Sequence, residues 1–138
     1  MKEPIIEFRD IEQAYDCLRE WQERLFLTDW IIKIILETEP IIDDGERQAW
    51  QIEYNTATRC AKIYLTPHND DTASRIKKIS HEKTLVHELC HLKLDFACAP
   101  HTLEQAWFAK VEHTLIEQFA MSLIMAKYGI GFDWFKNF

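Results

Sequence analysis

The sequence has no cysteine pair with CxxC spacing and no cysteine spacing typical of a disulfide framework. Its four cysteines are Cys17, Cys60, Cys90 and Cys98. The first residues, Met1-Lys2-Glu3-Pro4, carry charges and a proline where a signal sequence has an apolar core. Cysteines in a chain without a signal sequence are expected to be reduced thiols. We therefore expect a cytoplasmic protein.

The sequence also lacks long apolar runs, internal repeats and a recognisable linker. No run approaches the ~18 apolar residues that a membrane span requires, so no membrane partner is expected. The net charge of −7 argues against a broad phosphate-binding surface, and hence against a nucleic-acid partner. With 138 residues, of which 47% are hydrophobic, the chain is long enough for one domain, 1–138, with its own core.

Hydrophobic periodicity predicts a helix, then strands, then two helices. Asp10 and Gln13 form a plausible N-cap pair for a helix over 11–26, in which apolar residues recur at helical spacing. The pattern further predicts strands 30–36, 49–54 and 59–66, a turn or exposed loop at 40–46, a helix from Ser74 or Ser80 to Phe96, and a last helix 102–127. This order indicates an α+β fold with helices on one face of a small, three-stranded or larger, antiparallel or mixed sheet.

The most specific motif is His87-Glu88-Leu89-Cys90-His91. On a helix, two histidines four residues apart lie on one face a turn apart, so both imidazoles can reach one metal ion. Glu88 lies about 100° round the helix from His87. Its carboxylate can there hold the attacking water rather than ligate the metal. This is the HExxH arrangement of zinc peptidases, so we expect one Zn²⁺ ion.

A catalytic zinc usually has three protein ligands, and the third is expected on the last helix. Residues after His91 lack the glycine and histidine of the metzincin extension. A helical wheel predicts an inward apolar stripe on the last helix with Glu112 at its centre. The stripe is made by Phe108, Leu115, Phe119 and Leu123 and is flanked by Val111, Ile116 and Ala120. A carboxylate pointing into a core is costly unless it is paired or metal-bound, so Glu112 is the first candidate. His113 is the second and Glu117 the third; alternatively, His113 and Glu117 act together as ligand and supporting carboxylate.

Two segments carry a resemblance to a known family. They are residues 84–94, Thr-Leu-Val-His-Glu-Leu-Cys-His-Leu-Lys-Leu, and residues 112–120, Glu-His-Thr-Leu-Ile-Glu-Gln-Phe-Ala. They resemble zincin-like metallopeptidases encoded by phages and prophages, which are similar in turn to gluzincin and SprT-like peptidases. Residues 27–34 resemble the entry to the first strand in these proteins, and residues 59–65 the strand before the metal helix.

The resemblance implies a zincin-like core of helix, sheet and helix, with zinc on the HExxH helix and a ligand from a glutamate on the next helix. It also implies a phage or bacterial host cytosol as the location. Glu112-His113 stands where many relatives carry two acidic residues. If the family's ligand corresponds to the second of these, His113 is the ligand in this chain.

The expected activity is hydrolysis of a peptide bond in a protein or peptide substrate, with Glu88 as general base. The alternative is a non-catalytic, zinc-stabilised binding or regulatory protein of phage or prophage origin. The resemblance also suggests that a strand edge near the metal helix, with 59–66 as the candidate, holds an extended peptide by β-augmentation. The sequence does not choose among the candidate donors to the oxyanion, which are Tyr64, His68, His81, His101 and His113.

Overall fold

The computed structural model describes residues 2–36, 41–43, 46–48, 50–65, 80–94 and 105–137. Its elements are α1 (Ile11–Arg24), β1 (Ile31–Leu36), β2 (Ile41–Asp43), β3 (Glu46–Gln48), β4 (Trp50–Asn55), β5 (Cys60–Leu65), α2 (His81–Leu94), α3 (Gln105–Tyr128) and a 3₁₀ helix (Phe132–Asn137). The predicted α+β class is confirmed in this part of the chain: three α-helices accompany a three-stranded mixed sheet.

Helix α1 begins where the cap pair predicts. The backbone N–H of Gln13 donates to Asp10 Oδ1 at 2.8 Å, and Gln13 Oε1 accepts from the backbone N–H of Arg9 at 2.7 Å. These bonds satisfy amide groups that have no partner within the helix. The inward face of α1 carries the predicted buried residues Ala14, Leu18 and Trp21, together with Cys17.

The three-stranded sheet has the order β1-β5-β4, with β1 parallel and β4 antiparallel to β5. The register places Ile34, Ile63 and Ile52 side by side on the face that packs on the helices. The alternation predicted for 59–66 is confirmed, because Ala61, Ile63 and Leu65 are all buried. However, β5 is the central strand, so the prediction that 59–66 offers a free edge to a peptide is wrong.

The segment 40–46, predicted as a turn or exposed loop, contains β2 and the first residue of β3. β2 and β3 form an antiparallel pair in which Ile42 lies opposite Arg47. The residues between them, Asp44 and Gly45, lie outside the described residues. An Asp-Gly step between two strands is a sequence signal for a hairpin, and this signal could have predicted the pairing of β2 with β3.

Helix α2 is the central element of the fold. It packs against α1, α3 and β4, and most of its residues are buried. Its apolar residues Leu85, Val86 and Leu89 are fully enclosed in the core. Because α2 is covered on several sides, its polar residues must find partners inside the protein.

Helix α3 packs with a different face from the predicted one. Leu115 and Phe119 are 42% and 49% exposed, whereas Ile116, Ala120 and Ile124 are fully buried. The side chain of Phe108 lies outside the described residues. Leu123 of the predicted stripe is half-buried against the core. The inward face therefore follows the predicted flank, Ile116 and Ala120, about a quarter of the helix circumference away from Leu115 and Phe119.

Helix α3 ends at Tyr128, and Gly129 follows it. Gly129 adopts φ +65, a left-handed conformation that favours glycine, and its N–H donates to the Met125 carbonyl oxygen at 2.8 Å. In the aromatic tail Phe135 is buried in the core, while Phe132 is exposed. Among the helices described, none combines the length and apolar character that crossing a bilayer requires.

Candidate metal centre

Three histidines from two helices converge at one place. His87 and His91 come from α2 and His113 from α3, and one ligand atom from each lies within 4.8 Å of those of the other two. The ring centroid of His87 is 5.2 Å from that of His91 and 4.9 Å from that of His113. The three residues form a group that could hold a metal ion, and they are called the histidine group below.

Burial decreases across the histidine group from His87 to His113. His87 is buried, His91 is half-buried and His113 is exposed. The α2 pair lies one turn apart by helix geometry alone, whereas His113 depends on how α3 packs. His113 is three residues before the buried Ile116, so the two side chains lie on neighbouring positions of α3, which packs against α2.

A carboxylate from α3 orients His87. Glu117 Oε2 lies 2.7 Å from Nδ1 of His87, and Glu117 Oε1 accepts a hydrogen bond from the Lys83 ammonium group. Burial alone would raise the pKa of Glu117, but the contacts with His87 and Lys83 outweigh it and lower that pKa to about 2. An ionised Glu117 accepts the Nδ1 proton, which leaves Nε2 of His87 as the nitrogen with an available lone pair.

His91 is held neutral by its surroundings. Burial, with the neighbouring His87 and His113 rings, lowers the pKa of His91 to about 4. Only the neutral imidazole has a lone pair for a metal. Its Nδ1 lies 3.9 Å from Glu112 Oε1, which is longer than a hydrogen bond.

The Glu88 carboxylate is enclosed by the core. Its side chain is buried, and among the described residues no hydrogen bond to it is found. Burial raises the pKa of Glu88 to about 7; the nearby His87 lowers this pKa and Glu117 raises it. Glu88 lies outside the histidine group.

The candidate third ligands occupy different places. His113 belongs to the histidine group, while Glu112 and Glu117 do not. Glu112 approaches His91 and Glu117 contacts His87. Of the alternative pair, His113 lies in the histidine group, and the Glu117 carboxylate contacts His87 on the other helix.

Among the oxyanion candidates, Tyr64 and His81 have contacts elsewhere. The Tyr64 hydroxyl donates to Glu53 Oε2 at 3.0 Å, on the sheet, and Nδ1 of His81 accepts from the Phe8 backbone N–H at 2.9 Å. His68 and His101 lie outside the described residues.

Lys83 is part of this site although the sequence analysis did not single it out. It lies four residues before His87 on α2, the spacing that places two side chains on one helix face, and this spacing was the available signal. The neighbouring Cys90 behaves as the buried thiol expected from the sequence. Burial raises the pKa of Cys90 to about 11, and Cys17, Cys60 and Cys90 are free thiols.

The donor set fits a transition-metal ion. Tetrahedral zinc with Zn–N bonds of about 2.0–2.1 Å holds its nitrogen ligands roughly 3.4 Å apart. Ligand atoms within 4.8 Å of one another therefore need only small side-chain movements to meet this requirement. Imidazole nitrogens suit zinc, copper, iron and nickel, and the geometry does not select among these metals.

Comparison of the chain with protein-family models, curated proteins and solved structures found no match. The resemblance to zincin-like peptidases stays a prediction from the sequence.

Proposed function

We propose that this chain is a zinc-dependent metallopeptidase of the zincin-like type, with Glu88 as general base. The observation that carries the proposal is the convergence of His113 from α3 on the HExxH histidines of α2. A coincidental HExxH motif gives no reason for a third imidazole from another helix to lie within ligand distance of the first two.

The proposed ligands are His87, His91 and His113. His113 is preferred to Glu112 because its ligand atom belongs to the histidine group. Glu117 is assigned a supporting role, since its carboxylate accepts from Nδ1 of His87. Metal-ligating histidines commonly donate their second ring N–H to a carboxylate, which sets the tautomer and the ring orientation.

The proposed chemistry is hydrolysis of a peptide bond. When bound, zinc supplies the Lewis acidity that lowers the pKa of water and polarises a carbonyl group. Glu88 accepts a proton from the attacking water and later delivers it to the leaving amine. In the described part of α2, no other carboxylate lies as close in sequence to both ligand histidines as that of Glu88.

We place the protein or peptide substrate along β4. In the described sheet β4 has β5 on one side only, and α2 packs against β4. An extended peptide can add to such an edge through backbone hydrogen bonds. The edge of β1 is partly closed, because the backbone N–H of Ile34 donates to the Tyr15 hydroxyl of α1 at 3.0 Å.

The test compares Glu88→Gln, His87→Ala and the exposed control Glu23→Gln. Metal content is measured by elemental analysis, and cleavage of a diverse peptide library by mass spectrometry. We expect Glu88→Gln to retain about one zinc ion per chain and to lose activity by a hundredfold or more, since general-base catalysis contributes about 10²–10⁴. His87→Ala is expected to lose the metal, and Glu23→Gln to match the parent in both measurements. Full activity in Glu88→Gln would remove Glu88 from the mechanism.

The alternative function is a zinc-stabilised binding or regulatory protein. The observation that favours it is that the histidine group joins two helices, as a structural site does. It predicts stoichiometric metal in the parent protein with no cleavage of any peptide in the library. The presence of Glu88 beside the site favours the peptidase, because a structural site has no use for a buried carboxylate that does not ligate.

A further inference from the structure

A chain of contacts runs from α2 through α3 and back to α2 behind the metal site. The Lys83 ammonium donates to Glu117 Oε1, and Glu117 Oε2 contacts Nδ1 of His87 at 2.7 Å. Both oxygens of the carboxylate are therefore engaged. The Lys83 side chain is 21% exposed and that of Glu117 33%, so the contacts are partly shielded from water.

Glu117 is itself well placed to become a metal ligand. It follows His113 by four residues on α3, the same spacing that lets His87 and His91 share one ion on α2. A carboxylate oxygen is a common zinc ligand. A further interaction must therefore keep the Glu117 carboxylate at Nδ1 of His87 when a cation is bound at Nε2 of the same ring.

Lys83 supplies that restraint. Its ammonium group offers Oε1 a charge-assisted hydrogen bond, which is stronger than a bond between neutral groups. Lys83 lies one turn before His87 on the same helix, so the position of its stem relative to His87 is set by α2. Glu112, the other acidic candidate, lies with its Oε1 3.9 Å from Nδ1 of His91.

We infer that Lys83 determines the ligand set of the metal site, by holding Glu117 as the acceptor for His87 and away from the metal. This inference depends on the proposed metal site. Lys83 and Glu117 are then positioning residues, and the ion is bound by three imidazoles. Without the Lys83 contact, Glu117 is released to ligate through an oxygen.

The experiment loads the full chain with Co²⁺ in place of Zn²⁺ and records the visible absorption of the ion, which depends on the ligands. The variants are Lys83→Met, which removes the donor and charge, and Lys83→Arg, which keeps both. Lys93→Met is the matched control, because Lys93 lies on the same helix and contacts the Phe26 carbonyl oxygen instead. Circular dichroism checks that each variant is folded, and Lys83→Gln replaces Lys83→Met if the latter is not.

We expect the Co²⁺ bands to shift in position and intensity in Lys83→Met, and to match the parent in Lys83→Arg and Lys93→Met. In the double variant Lys83→Met with Glu117→Gln the parent bands should return, because an amide is a poor substitute for a carboxylate ligand. Glu117→Gln alone should keep the parent bands and weaken Co²⁺ binding by about 10- to 100-fold. A purely structural role for Lys83 would not produce a shift that Glu117→Gln reverses.

Parent bands in a folded, Co²⁺-loaded Lys83→Met protein would overturn this inference and leave the proposed function standing. A shift that persists in the double variant would also overturn it, since Glu117 would not be its source. Failure of the parent protein to bind Co²⁺ or Zn²⁺ would overturn both the inference and the proposed function.

Discussion

A single buried carboxylate, Glu82, joins four parts of the chain. Its side chain is fully buried, and Lys127 of α3 and Trp21 of α1 donate to its Oε2, each at 2.8 Å. Its Oε1 accepts from the Ile5 backbone N–H at 3.0 Å and from the Tyr128 hydroxyl. Burial alone would lower the pKa of Lys127. Its hydrogen bonds with Glu82, Tyr128 and Glu20 outweigh burial and raise that pKa above its ordinary value. A buried charge is tolerated only when it is paired and hydrogen-bonded, and Glu82 meets that condition.

Replacing Glu82 by glutamine should destabilise the protein. The amide would offer N–H donors to groups that are themselves donors and would leave Lys127 without its buried counter-ion. Breaking one side of a buried pair costs about 3–5 kcal/mol, and we expect the free energy of unfolding in urea to fall by about 3 kcal/mol. The matched control is Glu20→Gln, because Glu20 also contacts Lys127 but is 42% exposed. In Glu20→Gln the free energy of unfolding should fall by less than about 1 kcal/mol. Equal decreases in Glu82→Gln and Glu20→Gln would contradict this account.

At the scale of elements, the end of α1 is formed by an unusual residue. The backbone N–H of Leu27 donates to the Gln22 carbonyl oxygen at 2.7 Å and that of Phe26 to the Glu23 carbonyl oxygen at 3.3 Å. This is the bonding pattern of a Schellman motif, whose left-handed residue is usually glycine. Here it is Phe26, with φ 57 and a side chain 82% exposed. The left-handed conformation costs a residue with a Cβ about 1–2 kcal/mol.

Phe26→Gly should therefore be more stable than Phe26→Ala. Both variants remove the ring and its contact with Lys93, whose Nζ is 5.8 Å from the ring centroid. Only glycine removes the strain of the left-handed backbone, so we expect its free energy of unfolding to exceed that of the alanine variant by about 1 kcal/mol. Chemical denaturation of both proteins measures the difference. If the alanine variant is equally stable or more stable, the strain assigned to Phe26 is absent.

At the scale of the whole molecule, the histidine group connects α3 to the central helix. His87 and His91 belong to an element buried in the core, whereas His113 lies on a helix whose adjoining Leu115 and Phe119 are exposed. A cation bound by all three would add a link between α2 and α3 to their packing. Ligands that bind only the folded state stabilise it by mass action.

Zinc should therefore raise the stability of the parent protein, and His113→Ala should abolish most of that gain. With zinc at 100 times its dissociation constant, we expect the free energy of unfolding to increase by about 2.7 kcal/mol. Unfolding is followed with zinc and with a chelator. Glu112→Ala is the control, because Glu112 lies outside the histidine group. If Glu112→Ala loses the gain while His113→Ala keeps it, Glu112 is the third ligand.

Much of the local structure could be predicted because it depends on short-range patterns. The period-2 alternation of 59–66 and the helical spacing after Asp10 identify β5 and α1 to within two residues at either end. The HExxH spacing likewise places His87 and His91 on one helix face without reference to the rest of the chain. These patterns involve only residues that are close in sequence, so they can be recognised without knowledge of tertiary contacts.

Contacts between segments that are distant in sequence could not be predicted from such short-range patterns. The helical wheel centres the inward stripe of the last helix on Leu115 and Phe119 with Ile116 and Ala120 at its flank, yet Ile116 and Ala120 are the residues that are fully buried. Which part of an apolar face turns inward depends on how α3 packs against the rest of the molecule. The role of β5 as central strand depends on β1 and β4 flanking it, which the pattern of β5 alone does not contain.

The sequence by itself determined the three α-helices, the three strands of the mixed sheet and the pair of imidazoles one turn apart, because each follows from the periodicity of a single helix or strand. Only the tertiary structure decided that His113 joins that pair, and that Glu117 and Lys83 lie behind His87. The physical reason is that these contacts depend on the rotation and position of α3 against α2. That arrangement is set by which apolar side chains of the two helices interlock, and it is a property of the assembled core.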